Sequence, residues 1–97
     1  MSKERDYRAL RVTDARAGKQ HEFDGVVIEV VEVNRVKNPF GSDTYTVAYR
    51  IRDVRQSPVF VSQVAHLFVG ATTDLMKEFR KVRDHYEEIK SMLRGSA

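Results

Sequence analysis

Cysteine and tryptophan are absent from this chain of 97 residues, and proline occurs only twice. Without cysteine there is no disulfide framework, no thiolate nucleophile and no Cys-ligated metal. No apolar run approaches the roughly 20 residues that span a bilayer. The stretch Met1 to Arg11 is charged throughout and lacks the apolar segment of a secretory signal. Neither Asn34 nor Asn38 sits in a glycosylation sequon. An intracellular, cytoplasmic setting without membrane contact is therefore expected. Catalytic signatures are missing as well. His21, His66 and His85 are scattered, with no HxxxH or HExxH spacing. There is no GxSxG, no GxGxxG and no phosphate-binding loop motif. Asp43 and Asp53 flank one stretch, but both sit at turns, where Asp serves local hydrogen bonds. No enzymatic activity, metal or cofactor is expected.

What is present is the composition of a globular chain: 41% hydrophobic and 32% charged residues. The length suits one domain. Residues 1–6 are polar and expected to fray, residues 95–97 form a tail, and no internal repeat is visible. The net charge is +3. Between residues 35 and 55 five basic residues (Arg35, Lys37, Arg50, Arg52, Arg55) face two acidic ones (Asp43, Asp53), which alone equals that excess. Such a local excess is either a polyanion footprint or an ordinary solvated face.

The pattern predicts an α+β fold. Tyr7–Thr13 alternates weakly and reads as a short strand, and Asp14–Gly18 as a turn. Phe23–Val36 is dense in β-branched residues and reads as a strand. Its phase changes inside: Val26, Ile28 and Val30 share one face, Val31 and Val33 the other. A period-2 strand accommodates that only with a bend or bulge between Ile28 and Glu32, or with both faces partly covered. Asn38–Asp43 is a loop. Thr44–Asp53 alternates well, with Tyr45, Val47, Tyr49 and Ile51 on one side and Arg50 and Arg52 on the other. Pro58–Val64 reads as a third strand. Ala65–Gly70 is open between strand and helix.

From Thr73 onward Leu75, Phe79, Val82, Tyr86, Ile89 and Leu93 are spaced as one apolar helical stripe. Thr72 or Thr73 can cap that helix, with Asp74 at its positive end. Arg80–Asp84 and Arg83–Glu87 are candidate i,i+4 pairs. The core expected from these patterns is Ile28, Val47, Tyr49, Ile51, Val61, Leu75, Phe79, Val82, Tyr86 and Ile89.

The stretch Val12–Leu67 resembles the first half of an OB-fold of the archaeal replication-protein, single-strand-binding type. The lead-in is Val12-Thr13-Asp14-Ala15-Arg16-Ala17-Gly18. The strand motif is Asp24-Gly25-Val26-Val27-Ile28-Glu29-Val30, followed by the loop Lys37–Asp43. A strand ending Ile51-Arg52-Asp53 comes next, then Val59–Val64. The resemblance covers a little over half the chain. An OB barrel needs two more strands after its helix, and only Gly95-Ser96-Ala97 follow here. The expectation is an open antiparallel sheet of three to four strands followed by one long helix, with an incomplete OB-like barrel as the alternative.

Two functions follow. In the first, Arg35, Lys37, Phe40, Arg50 and Arg52 form a basic hairpin surface for single-stranded DNA or RNA. Cations neutralise phosphates, and Phe40, between Pro39 and Gly41 in a polar loop, either stacks a base or folds back onto the sheet. The resemblance implies the same face, with Asn38, Ser42, Tyr45 and Tyr49 added. In the second, Leu75, Phe79, Val82, Tyr86, Ile89 and Leu93 serve a protein partner or a homodimer, because their average spacing is that of a coiled-coil seam. The alternative for the stripe is packing on the domain's own sheet.

Overall fold

The valine-rich stretch forms one strand, but it begins after a tight turn at Asp24-Gly25 rather than at Phe23. Asp24 and Gly25 adopt positive φ, 53° and 91°, the backbone of a two-residue type I′ hairpin. The turn divides β1 (Gln20–Phe23) from β2 (Val26–Val36). The computed structural model describes residues 9–95. Gly25 is also crowded: a Cβ there would lie 2.6 Å from Cγ and Cδ of Arg55.

β2 runs antiparallel to β3 (Thr44–Asp53), and their ladder slips once. Val30 opposes Tyr49 and Glu32 opposes Ala48, so Val31 is the extra residue of a bulge. The bulge falls where the phase change requires one. It brings Val33 opposite Val47, onto the face that already carries Val26, Ile28 and Val30.

The third strand departs from expectation. Within 58–64 only Phe60–Val61 pairs, as β4, against Arg52 and Asp53. The main partner of β3 is β5 (Ala65–Gly70), which covers Thr44 to Tyr49. β4 and β5 therefore form one interrupted outer edge along β3. Ser62 holds the interruption, because its Oγ accepts from the Ile51 amide at 2.8 Å and its amide donates to the Ile51 carbonyl at 2.8 Å. Ala65–Gly70 is a strand because Leu67 and Val69 turn inward against outward His66 and Phe68, a period of two. Among the described residues the sheet is an open antiparallel one that does not close.

Before β1, Val12–Asp14 forms a short 3-10 turn in place of the expected strand, and Arg11 makes a single bridge to Asp74. Tyr7, Arg8 and residues 1–6 lie outside the described residues. Val12 and Ala15 are buried under the helix start, with Phe23, Val26, Ile28, Val30, Val47, Val69, Leu75 and Phe79.

The helix, α1 (Leu75–Gly95), is capped by Asp74 rather than by a threonine. The Asp74 Oδ1 accepts from the Met76 amide at 3.0 Å and from the Leu10 amide at 2.9 Å. Thr73 serves the strand instead: its Oγ1 accepts from the Gly70 amide at 3.2 Å. Exposure grows along the apolar stripe. Leu75 and Phe79 are fully buried, Val82 and Tyr86 half-buried, Ile89 41% exposed and Leu93 69% exposed. Ile89 and Val61 thus leave the expected core, Val61 because it lies on the uncovered face of the sheet beside Arg52. Glu87 pairs with Arg55 rather than Arg83, which meets Asp24 and Asp84. No helix among the described residues is long and apolar enough to cross a membrane.

Candidate functional site

The five residues expected to bind nucleic acid divide into two groups. Arg35, Lys37 and Phe40 sit at the loop end of the β2–β3 hairpin. Arg50 and Arg52 sit toward the other end of β3, on the face away from the helix. Arg35 opposes Tyr45 and so belongs to the opposite face. Its Nε pairs with Asp43 Oδ2 at 2.6 Å. Arg50 lies 3.8 Å from Glu29. From Thr44 to Arg52 is eight residues, roughly 27 Å of strand. On the open face Arg50 and Arg52 share the sheet with Glu22, Glu29 and Glu32. That face is close to charge balance.

Phe40 does not fold back. Asn38 Oδ1 accepts the Phe40 amide at 3.0 Å, and Asp43 Oδ1 accepts the Asn38 amide at 3.2 Å. These two side chains shape the loop from within and leave Phe40 96% exposed. Tyr45 and Tyr49 instead pack against the core, as their parity with Val47 indicates.

The densest polar constellation lies where β3 ends. Asp53 is fully buried. Its carboxylate accepts from Arg55 Nε and Nη2 at 2.9 Å each, Tyr86 Oη at 2.8 Å and Lys90 Nζ at 3.0 Å. The other edge of Arg55 holds Glu87 at 2.8 and 3.0 Å. The Arg55 guanidinium, with Lys90 and Tyr86, holds the Asp53 carboxyl far below its ordinary range against the opposing effect of burial. Burial, then its hydrogen bond to Asp53, pushes the Tyr86 hydroxyl up to about 12. Arg55 likewise lowers Glu87. Phe60 stacks on Tyr86 at 5.8 Å.

A shallow cavity of about 360 Å³ borders this cluster, lined by Arg55, Gln56, Glu87, Lys90 and Ser91. Its two cations already face two carboxylates, so it offers no net charge to a ligand. A carboxylate with so low a pKa is a poor base near neutral pH. The cluster acts as a clamp that fixes the second half of α1 to the end of β3. Spacing gave no signal for it, because Asp53 and Lys90 are 37 residues apart.

On the opposite flank of α1 an apolar groove of about 270 Å³ runs between helix and sheet. Tyr49, Ile51 and Leu67 form its floor, and Val82, Tyr86 and Ile89 its wall. Glu78, Lys81 and His85 mark the rim. Burial raises the Tyr49 hydroxyl. The groove borders β5, whose outer side meets no strand among the described residues. β5 carries no Lys, Arg, Asp, Glu or Pro, and Phe68 on its open face is 74% exposed.

Comparison with family models, with curated proteins and with solved structures finds no match to this chain.

Proposed function

We propose that this domain is a non-catalytic interaction module that docks a protein partner along the flank of α1 bordering β5. The observation that carries this reading is the apolar groove there, floored by Tyr49, Ile51 and Leu67 and open beside an unpaired strand. Apolar surface left beside a free strand edge is the kind of surface that proteins use to bind one another. The overhanging end of the helix extends it, since Ile89, Met92 and Leu93 are exposed. A photoreactive side chain placed at His85 in the source cells should give polypeptide adducts of defined mass. Ile89→Glu should abolish them. A chain that forms no polypeptide adduct overturns the reading.

Phe40 supports a second reading, single-strand nucleic-acid binding. An aromatic ring 96% exposed beside Lys37 is poised to stack on a base. Arg52 adds a cation on the open sheet face, which also carries the small residues Thr44, Thr46 and Ala48 further along β3. Titration of labelled single-stranded DNA and RNA at low salt tests it, and the absence of binding to both removes it.

A further inference from the structure

We infer that the partner is a second copy of this chain, joined edge to edge through β5 about a two-fold axis at Leu67. The inference rests on reading the α1–β5 flank as a protein-docking surface, and it names the occupant.

The two outer edges of this sheet differ. β1 is four residues long, contains Glu22 and is bounded by Lys19 and Asp24. Short length and charge are how edges avoid pairing with another chain. β5 is six residues long with none of these protections.

The backbone of β5 shows which groups are free to pair. The Gly70 amide and carbonyl both turn away from β3, bonding the Thr73 hydroxyl at 3.2 Å and the Thr73 amide at 3.1 Å. Residues of the same parity point the same way in an antiparallel strand. His66 and Phe68 therefore aim their amides and carbonyls outward. Two outward residues flanking one inward residue are self-complementary. An axis at Leu67 sets His66 against Phe68 of the second copy, and Phe68 against His66. Each opposed pair exchanges two hydrogen bonds. An axis at Phe68 would need Gly70, whose groups Thr73 already holds.

That axis is perpendicular to the sheet, so both helices stay on one face and run antiparallel. The two apolar grooves merge into one trough floored by both Leu67 side chains. Leu67 lines the same groove as helix residues from Glu78 to Ile89, so the axis passes α1 near Asp84. Lys81 lies three residues before that level and Glu88 four after it. Antiparallel walls thus set Lys81 of one copy opposite Glu88 of the other, twice. Both side chains are largely exposed in the single chain. The register chosen by backbone hydrogen bonds and the register favoured by helix charges agree to within about one residue, roughly 1.5 Å of helix.

The experiment uses the full chain and exploits its lack of cysteine. Leu67→Cys places two thiols across the non-hydrogen-bonded pair at the axis, where Cβ atoms approach within about 5 Å. Oxidation should give a covalent dimer at least tenfold faster than oxidation of Phe40→Cys. Sedimentation of the unmodified chain should give the mass of two copies. Phe68→Pro removes an outward amide without touching the β3 ladder, and His66→Lys charges the exposed edge. Both should give one-copy masses with melting curves close to the parent. A one-copy mass for the unmodified chain near 100 μM overturns the inference. So does a two-copy mass that survives both variants, or a Leu67→Cys rate equal to that of Phe40→Cys. Polypeptide adducts from His85 to a different protein would overturn the second copy alone and leave the docking reading in place.

Discussion

Asp53 carries a full negative charge at a position without solvent exposure, and it is stable there because four side chains donate to it. Replacing it leaves Glu87 alone to balance both Arg55 and Lys90, and takes away the buried acceptor that Arg55, Lys90 and Tyr86 share. Asp53→Ala should cost about 3–5 kcal/mol in urea melts, the range for breaking a buried pair. A loss under about 1 kcal/mol would show that the clamp contributes little. Its depressed folded-state pKa fixes the sign of its pH dependence. The stabilisation is present above the unfolded value of 3.8 and is lost as pH falls below it. His21 acts in the same sense, at higher pH. Burial, then Lys19, lowers its pKa from 6.5, and its Nε2 is buried without a hydrogen-bond partner, the ring 5.5 Å from Phe79. The unfolded chain therefore binds a proton that the folded chain refuses, so stability rises with pH across that interval. Between about pH 7 and pH 5 the parent should lose stability that His21→Gln retains. Parallel curves for the two proteins would show that His21 is not the sensor. Neither role was legible in the sequence. Asp53 read as a turn residue and His21 as a scattered histidine, because the groups that surround them come from distant parts of the chain.

At the scale of elements, legibility followed periodicity. The alternation of 44–53 and the stripe from Leu75 are strong periods, and both elements stand as expected. The bulge was legible because a valine run that changes phase has few other ways to bury both halves. Asp-Gly is a type I′ hairpin pair, but the β-branched run that follows Asp24-Gly25 makes the whole of 23–36 read as one strand. β5 was ambiguous because Leu67, Phe68 and Ala71 fit a helical face as well as a strand. Pairing with Thr44–Tyr49, a non-local contact, decided it. Two glycines offer a controlled test of the hairpin. Gly18 and Gly25 have almost the same φ, 89° and 91°, but only Gly25 has a neighbour where a Cβ would go. Gly18→Ala should cost about 1–2 kcal/mol for left-handed backbone alone. Gly25→Ala should cost more by about 1 kcal/mol or above, because Arg55 must move off Asp53. Equal costs would mean Arg55 yields freely. The helix offers a second contrast. Phe79→Ala should cost about 3–5 kcal/mol and Leu93→Ala under about 0.5 kcal/mol, as burial falls along the stripe. Comparable losses would mean that Leu93 is covered in solution.

For the molecule as a whole, charge that looked contiguous in sequence is divided in space. Arg35 is bound to Asp43 and Arg50 is near Glu29, while Lys37 and Arg52 have no acidic partner among the described residues. Strand parity separates residues that are neighbours in sequence onto two faces, so a run with excess charge need not make a charged surface. This sharpens the nucleic-acid reading into a number. The four cations of that surface acting together on a single strand would give a log-affinity against log-salt slope near −2.8, at about −0.7 per phosphate neutralised. Two free cations give a slope near −1.4 on the same rule. A single strand bound at the Phe40 end of the hairpin should therefore show the shallow slope. Asp43→Asn should steepen it by about 0.7, because it releases Arg35 to meet a phosphate. Phe40→Ala should leave the slope unchanged and weaken binding by about 1–3 kcal/mol, since stacking releases no counterions. A slope near −2.8 in the parent protein would mean that the ion pairs open on binding. A slope that Asp43→Asn does not change would place the bound strand away from Arg35, on the open sheet face with Arg52.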